Sequence, residues 1–384
     1  MTGITVYHGI ALESGNQSIS PGSYKCHTEG EEPYRLLPYP PLPVVFNMYH
    51  ENRTGMQPRV ITYTKNVFLP LTSVCRNRCG YCSFRTPVQE GCVMLPEEVE
   101  AVLARGREAE CTEALFTFGE HPEEEEGFGP YLEKTGYDTL LDYCEAMCRL
   151  ALRYGILPHT NAGILTYDEM KRLRPVNASM GLMLETTARI PAHNGSKGKE
   201  PEVRLAMMED AGRLKIPFTT GLLLGIGETI ADREDSLRAI RDIHAKYGHI
   251  QEIILQNFCP KDNTPMAAFR VPETQEICET ITMAREILPP EISLQIAPNL
   301  IDASRLIGCG VTDLGGISPV TIDYVNPEHP WPALEDLEKM VREATLQERL
   351  CIYPRFIRMG WYDPGLQPLI NRLSQRIRRG SVQP

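Results

Sequence analysis

"VITYTKNVFLPLTSVCRNRCGYCSFR", residues 60–85, couples two signals. Within it "NVFLPLTSV", residues 66–74, is rich in β-branched and apolar residues and reads as a strand. The chain then passes without any helical pattern into three cysteines, Cys75, Cys79 and Cys82, spaced C-x3-C-x2-C. Thiols placed directly after a strand stand at a shared site when many strand ends converge, as they do at one face of a parallel barrel. The stretch therefore raises two questions: whether more such strands follow, and what the three thiols hold.

More strands do follow. Short β-rich runs recur at "EALFTFGE", "ILPHTNAG", "NASMGLMLE", "FTTGLLLGIG", "IQEIILQNF", "ISLQIAPN" and "VTDLGGIS". Helical patterns separate several of them. "PEEVEAVLARGREAE" opens with Pro96 and early acids, as helix starts prefer. "YDTLLDYCEAMCRLALRYG" repeats apolar residues at three- and four-residue steps and ends at Gly155. "EVRLAMMEDAGRL", "REDSLRAIRDIHAKYG" and "TQEICETITMAREIL" behave alike. Strand then helix, repeated about eight times, predicts parallel strands with crossover helices, and the count favours an α/β fold of the (β/α)8 TIM type. The C-terminal "CIYPRFIRMGWYDPGLQPLINRLSQRIRRG" stands outside the alternation and is expected to pack on one end of the barrel. Residues 1–57, with Pro38, Pro40, Pro41 and Pro43, are expected to form a poorly ordered N-terminal extension to a barrel domain spanning 58–384.

The formal charge of −11 argues against a nucleic-acid partner, whose binding rests on neutralising phosphates. No run of about 18 apolar residues exists to span a membrane. The N-terminus lacks the basic start and apolar core of a secretory signal, so a cytoplasmic location is expected. In that reducing compartment the 12 cysteines are expected to remain unpaired, and their clustering points to metal or redox chemistry.

Three thiolates suit either zinc or an iron–sulfur cluster. A structural zinc needs a fourth ligand, for which Cys92 is available. A cubane held by three cysteines leaves one iron open. C-x3-C-x2-C with Tyr81 just before the third cysteine resembles the radical S-adenosylmethionine (SAM) superfamily. The resemblance implies one 4Fe-4S cluster on Cys75, Cys79 and Cys82, with SAM chelating the open iron. It also implies a SAM cradle. Gly119 and Glu120 resemble the Gly-Glu step that holds the methionine ammonium. Glu185 and Arg204 stand where related enzymes hold the amino-acid or ribose groups. Gly225 and Gly227, in "GLLLGIGET", resemble the turn beside the adenine.

Longer stretches carry a narrower resemblance. "CTEALFTFGE", "PHTNAGILTYDEMKRLRPVNASMGLMLETTA" and "VTDLGGISPVTIDYVNPEHPWP" are similar to the first subunit of the deazaflavin synthase family of coenzyme F-420 biosynthesis. His121 departs from that pattern, which has arginine there. The resemblance implies a carbon–nitrogen lyase. Its substrate is the tyrosine-derived adduct of 5-amino-6-(D-ribitylamino)uracil, made by a companion radical SAM subunit; the sequence leaves open whether the two form a complex. It also implies a low-potential electron donor. Hydrogen abstraction at the benzylic carbon, ring closure, ammonia loss and oxidation then give the tricyclic deazaflavin. Candidate substrate contacts at the strand ends are Asn66, Asn161, Gln256, Asn257, Gln295 and Asn299, and candidate proton-transfer groups are His159 and Asp313, with Glu185 as a further choice. The competing readings are the companion subunit itself and a zinc-stabilised binding protein.

Overall fold

A computed structural model of the chain describes residues 59–342 and 344–380, and the segment 1–57 lies outside that range. Among the described residues there are nine strands: β1 Arg59–Phe68, β2 Glu113–Thr117, β3 Leu157–Asn161, β4 Ser179–Gly181, β5 Phe218–Leu224, β6 Ile250–Asn257, β7 Ser293–Gln295, β8 Asp313–Ile317 and β9 Ala344–Glu348. β1 to β8 pair in chain order, all parallel, and β1 closes the ring by bonding both β2 and β8. β2 to β8 fall within the runs expected from the sequence, whereas β1 begins at Arg59 and ends at Phe68, seven residues earlier than the expected start and sharing only Asn66–Phe68 with it. β9 was not expected; it runs parallel to the first half of β1, Arg59–Tyr63, while β2 takes Asn66–Phe68.

Helices Pro96–Glu108, Leu140–Arg153, Tyr167–Leu173, Pro201–Arg213, Ile230–Tyr247 and Thr274–Ile287 cover the outside of the ring. Capping residues fix their starts: Thr166 with Glu169 and Thr229 with Asp232 form reciprocal boxes that satisfy otherwise orphaned N–H groups. Between β7 and β8 two 3-10 turns, Ala303–Arg305 and Ile307–Cys309, replace the expected helix. One cysteine expectation fails here. Cys278, on the helix Thr274–Ile287, is bonded to Cys309 with Cα atoms 5.4 Å apart. The barrel brings that helix against the 3-10 turn, and a separation of 31 residues carries no sign of the pairing.

Alternation along each strand sorts the side chains. Outward positions such as Ala114, Phe116, Phe218, Leu222, Ile253 and Leu255 are buried in the layer between sheet and helices. Inward positions carry many polar groups: Thr64 and Asn66 on β1, Glu113 and Thr117 on β2, His159 and Asn161 on β3, Thr219 on β5, Glu252 and Gln256 on β6, all lining one cavity beside Leu115, Leu223 and Ile254. Barrels of this type ordinarily fill the interior with bulky branched residues. Here a cavity remains among them, and Gly316 makes room for the Asn66 amide, since a Cβ there would lie 2.1 Å from its nitrogen.

A hollow barrel needs a floor, and the C-terminal extension supplies it. Leu350, Ile352, Phe356, Leu366, Leu369 and Ile370 pack with Leu157 and Ala178, residues at the entry ends of β3 and β4. Ser179 Oγ and Gln251 Nε2 both donate to the Cys351 carbonyl, each at 2.9 Å, which ties the extension to the strand ends. Ile370 is fully buried in this plug. Ile370→Ala is expected to cost about 2–5 kcal/mol in denaturant unfolding, within a single transition. A loss below about 1 kcal/mol, or a separate early transition, would mean that the extension is not part of the barrel's cooperative unit.

Candidate active site

The cysteine loop leaves the end of β1 and folds against the end of β2. Gly119 N–H donates to the Thr72 carbonyl at 2.8 Å, and Arg76 N–H donates to the Glu120 carbonyl at 3.0 Å. The two segments approach so closely that a Cβ on Gly119 would sit 1.9 Å from the Val74 carbonyl oxygen. Glycine is required there by contact rather than by backbone angle. Glu120 N–H points at Cys75 Sγ, 3.3 Å away, the kind of donor that stabilises a thiolate.

Cys75, Cys79 and Cys82 line the mouth of a cavity of about 400 Å³ that continues into the barrel. Cys92 is exposed and does not line it. Among the described residues no three His, Cys, Asp or Glu side chains are gathered tightly enough for a single metal ion, so the zinc arrangement has no support in this geometry. Three cysteines on one loop around a wider cubane fit the iron–sulfur arrangement better. Burial raises the free thiols of Cys75 and Cys82, the latter to about 12, with the Cys79 sulfur adding repulsion. A metal must therefore displace protons to bind.

The residues expected to cradle SAM lie beside them. Glu120 is buried; its Oε1 accepts from Arg76 Nε at 2.9 Å and its Oε2 from the Ile164 N–H at 3.0 Å. Burial alone would raise its pKa, but Arg204, these hydrogen bonds and Arg76 hold it below the usual carboxylate range. Gly163 and Gly198 press on it from either side; a Cβ on Gly198 would lie 1.7 Å from Oε1. Arg204, also buried, donates Nε to the Gly198 carbonyl at 2.8 Å and Nη1 to the Met183 carbonyl. Glu185 carries φ +68°, uncommon outside glycine, and accepts from Tyr81 OH, His193 Nε2 and Lys199 Nζ. Burial would raise that carboxyl too; Lys199, His193 and Arg204 outweigh it and keep it ionised.

Tyr81, Gly119, Glu120, Glu185 and Arg204 all line the cavity. Gly225 and Gly227 do not. Both take positive φ, +94° and +113°, to wrap their turn around Glu228, whose carboxylate accepts the N–H groups of Gly225 and Ile226 at 2.7 and 2.8 Å. The glycine spacing is thus accounted for by the turn itself, and the face it offers the cavity region is the apolar cluster of Ile226, Leu223 and Phe258. His193 and Lys199 lie in "PAHNGSKGKE", a stretch without periodicity, and only the fold reveals them as partners of Glu185.

All six expected substrate contacts, Asn66, Asn161, Gln256, Asn257, Gln295 and Asn299, line the cavity. Asn66 Oδ1 and Asn299 Oδ1 are buried with no hydrogen-bond partner among the described residues. For Asn299 the orientation has a cause: its amide nitrogen donates to Asp323 at 2.9 Å, which turns the oxygen away.

The two proton-transfer candidates are corrected by their surroundings. Asp313, at the entry end of β8, does not line the cavity. Its oxygens are committed to Arg349, Thr62, Tyr353 and the Gly315 N–H. His159 does line the cavity, but burial and Arg349 push its pKa down to about 3. Its Nδ1 lies 2.7 Å from Ser179 Oγ, whose hydroxyl is donated to the Cys351 carbonyl, so Nδ1 carries the hydrogen and Nε2 keeps its lone pair. The ring is a neutral acceptor, too weakly basic to take a proton near pH 7.

Two outcomes are expected. The His159 ring should stay neutral, in its Nδ1–H form, at pH 5 by ¹⁵N NMR; an imidazolium at that pH would contradict its burial. Because the folded pKa lies below the unfolded value, the unfolded chain binds the extra proton, so His159 lowers stability progressively as pH falls from about 6.5 toward 3. Gly119→Ala should reduce the iron and sulfide retained after reconstitution while leaving the far-UV circular dichroism unchanged. Full retention would show that the loop tolerates displacement.

Residues 69–240 match the radical SAM superfamily. A protein of Methanoregula boonei named 7,8-didemethyl-8-hydroxy-5-deazariboflavin synthase is 90% identical over 329 residues, 86% of this chain and 100% of that protein. One of the same name from Methanosphaerula palustris is 62% identical over 85% of this chain and 100% of its own length. Among solved structures, the FeFe-hydrogenase maturase HydG from Carboxydothermus hydrogenoformans superposes with a TM-score of 0.59 at 18% identity, covering 83% of this chain and 82% of that one, a likeness of fold. By the length and closeness of these matches, this chain belongs to the 7,8-didemethyl-8-hydroxy-5-deazariboflavin synthase family of radical SAM enzymes.

Proposed function

We propose that this chain closes the deazaflavin ring, acting as a carbon–nitrogen lyase on the tyrosine-derived adduct of 5-amino-6-(D-ribitylamino)uracil and releasing ammonia. The observation that carries the reading is the single cavity running from Cys75, Cys79 and Cys82 past Glu120, Glu185 and Arg204 into the polar interior of the barrel. Its volume of about 400 Å³ lies within the range of small-molecule sites.

Cys75, Cys79 and Cys82 would hold a 4Fe-4S cluster. When bound, that cluster and SAM supply a 5′-deoxyadenosyl radical, given an electron from a low-potential donor. Glu120 has a lone-pair site left for the methionine ammonium, since a carboxylate offers about four and the protein fills fewer. Arg204 has Nη2 available for the methionine carboxylate, its other donors being tied to carbonyls. Glu185, anchored by Lys199 and His193, faces the ribose region, and Ile226, Leu223 and Phe258 offer an apolar wall for the adenine.

The adduct would lie deeper, against the belt of Asn66, Asn161, Gln256, Asn257, Gln295 and Asn299. The unpartnered oxygens of Asn66 and Asn299 suit the N–H and O–H groups of a ribitylaminouracil. His159 Nε2 is a further neutral acceptor. Enclosure by the strands keeps water from the reactive carbon and holds it near the hydrogen-abstracting atom. The hydrogen atom is removed from the benzylic carbon; the carbon closes onto the neighbouring ring; ammonia leaves, and one further electron, for which the oxidised 4Fe-4S cluster would be the acceptor, departs with a proton to complete the tricycle. A companion radical SAM subunit supplies the adduct, and a complex between the two would keep a reactive intermediate from solvent.

The test is anaerobic reconstitution with iron and sulfide, then reduction and incubation with SAM and the adduct. Deoxyadenosine and deazaflavin are expected together, and both should be lost in Cys79→Ala. Deoxyadenosine without deazaflavin from the unmodified chain would overturn the substrate assignment.

A further inference from the structure

Two carboxyl groups meet one guanidinium at the base of the barrel, and a third, Glu113, stands within its electrostatic reach. Arg349, from the C-terminal extension, donates to both oxygens of Asp313 at 2.6 and 2.7 Å and to Glu252 at 2.7 Å. Tyr353 OH lies 3.0 Å from an oxygen of each. Glu113 is different. It is buried and lines the cavity, yet it forms no ion pair among the described residues, its partner being the Thr64 hydroxyl. The three carboxyl groups and Arg349 are withdrawn from water.

Counting charge decides their state. Asp313 and Arg349 already cancel. Every further ionised carboxyl would leave a net negative charge buried, which costs several kcal/mol. Burial accordingly raises Glu113 to about 7 and Glu252 to about 8, against the pull of Arg349. Glu252 is held by Arg349, Tyr353 and Thr219. Glu113 is the carboxyl with freedom to present its acid to the cavity. Its register partner across β1 and β2 is Asn66, whose buried amide oxygen has no partner and lines the same cavity. A ligand that donates to Asn66 would lie against Glu113.

We propose that Glu113 is the general acid–base residue of the ring-closing reaction. The inference rests on the function proposed above. As the carbon–nitrogen bond breaks, its electron pair goes to nitrogen, and the Glu113 carboxyl proton joins it to release ammonia. The neighbouring ring C–H then yields its proton to the Glu113 carboxylate, and the C–H electron pair becomes the new double bond. The residue ends as it began. Neither His159, too weakly basic, nor Asp313, which does not line the cavity, is placed for this exchange.

The test uses reconstituted full-length enzyme with SAM and the adduct in single turnover. Glu113→Gln should still form deoxyadenosine while deazaflavin falls by at least about 100-fold, and a cyclised species retaining the amine should accumulate by mass spectrometry. Glu113→Asp, which keeps the acid on a shorter arm, should restore part of the deazaflavin. Deazaflavin within about threefold of the unmodified enzyme in Glu113→Gln would overturn the proposal. So would a parallel fall of both products in either variant, the mark of a residue that merely supports binding. If Glu113→Gln does not fold, Glu113→Asp alone decides, by whether deazaflavin drops relative to deoxyadenosine. Failure of the underlying reading would look different, because the unmodified enzyme would then make no deazaflavin from the adduct.

Discussion

Arg349 rises from the C-terminal extension into the barrel, where Asp313 takes it through two oxygens and Glu252 through one. A guanidinium can satisfy both carboxyls at once because its donors are spread in a rigid plane. The consequence reaches far beyond the pair. A parallel barrel normally excludes water by filling its interior with aliphatic side chains. This one carries acids, amides and hydroxyls on its inward positions and could not close over them without a buried cation at the base. Remove the guanidinium and two acids are left buried without it, a loss of about 3–5 kcal/mol for a broken buried pair. The apolar plug of Phe356, Leu369 and Ile370 delivers that cation and seals the end it enters from. Floor and charge balance are therefore one device.

The opposite end is organised by contact rather than charge. Gly119 lets the end of β2 touch the cysteine loop, and Gly163 and Gly198 let two further segments touch Glu120. The three thiols, the cradle carboxylate and its arginine are thereby held on backbone, not on flexible side-chain reach. Rigid placement of this kind is what radical chemistry asks of a protein, since a primary carbon radical attacks whichever C–H bond lies nearest. Between the two ends the polar belt offers unpartnered acceptors and little else that reacts.

Much of this was legible in the chain. β2 to β8 declare themselves as short β-rich runs, the cysteine spacing, Glu120 and Glu185 follow recognisable strands, and Arg204 stands near the start of a helix pattern. What escaped has physical reasons. β9 and Arg349 follow the last alternation, where no period marks a strand. Lys199 and His193 sit in an irregular loop, and their role exists only through Glu185. Gly225 and Gly227 read as ligand-facing glycines but serve a turn around Glu228. His159 looks like a proton carrier until burial beside Arg349 is known. The disulfide between Cys278 and Cys309 depends on a helix and a turn that flank β7 coming together on the outside of the ring. Glu113 was within reach: a lone acid opening the alternating strand "EALFT" is a buried charge whichever face it takes.

The central claim is that one cavity brings the hydrogen-abstracting centre and the adduct together. The most direct measurement is the mass of deoxyadenosine formed when the adduct carries deuterium at its benzylic carbon. The account predicts transfer of one deuterium into deoxyadenosine, in step with deazaflavin formation. Unlabelled deoxyadenosine alongside labelled product would place the abstracted hydrogen elsewhere and contradict it.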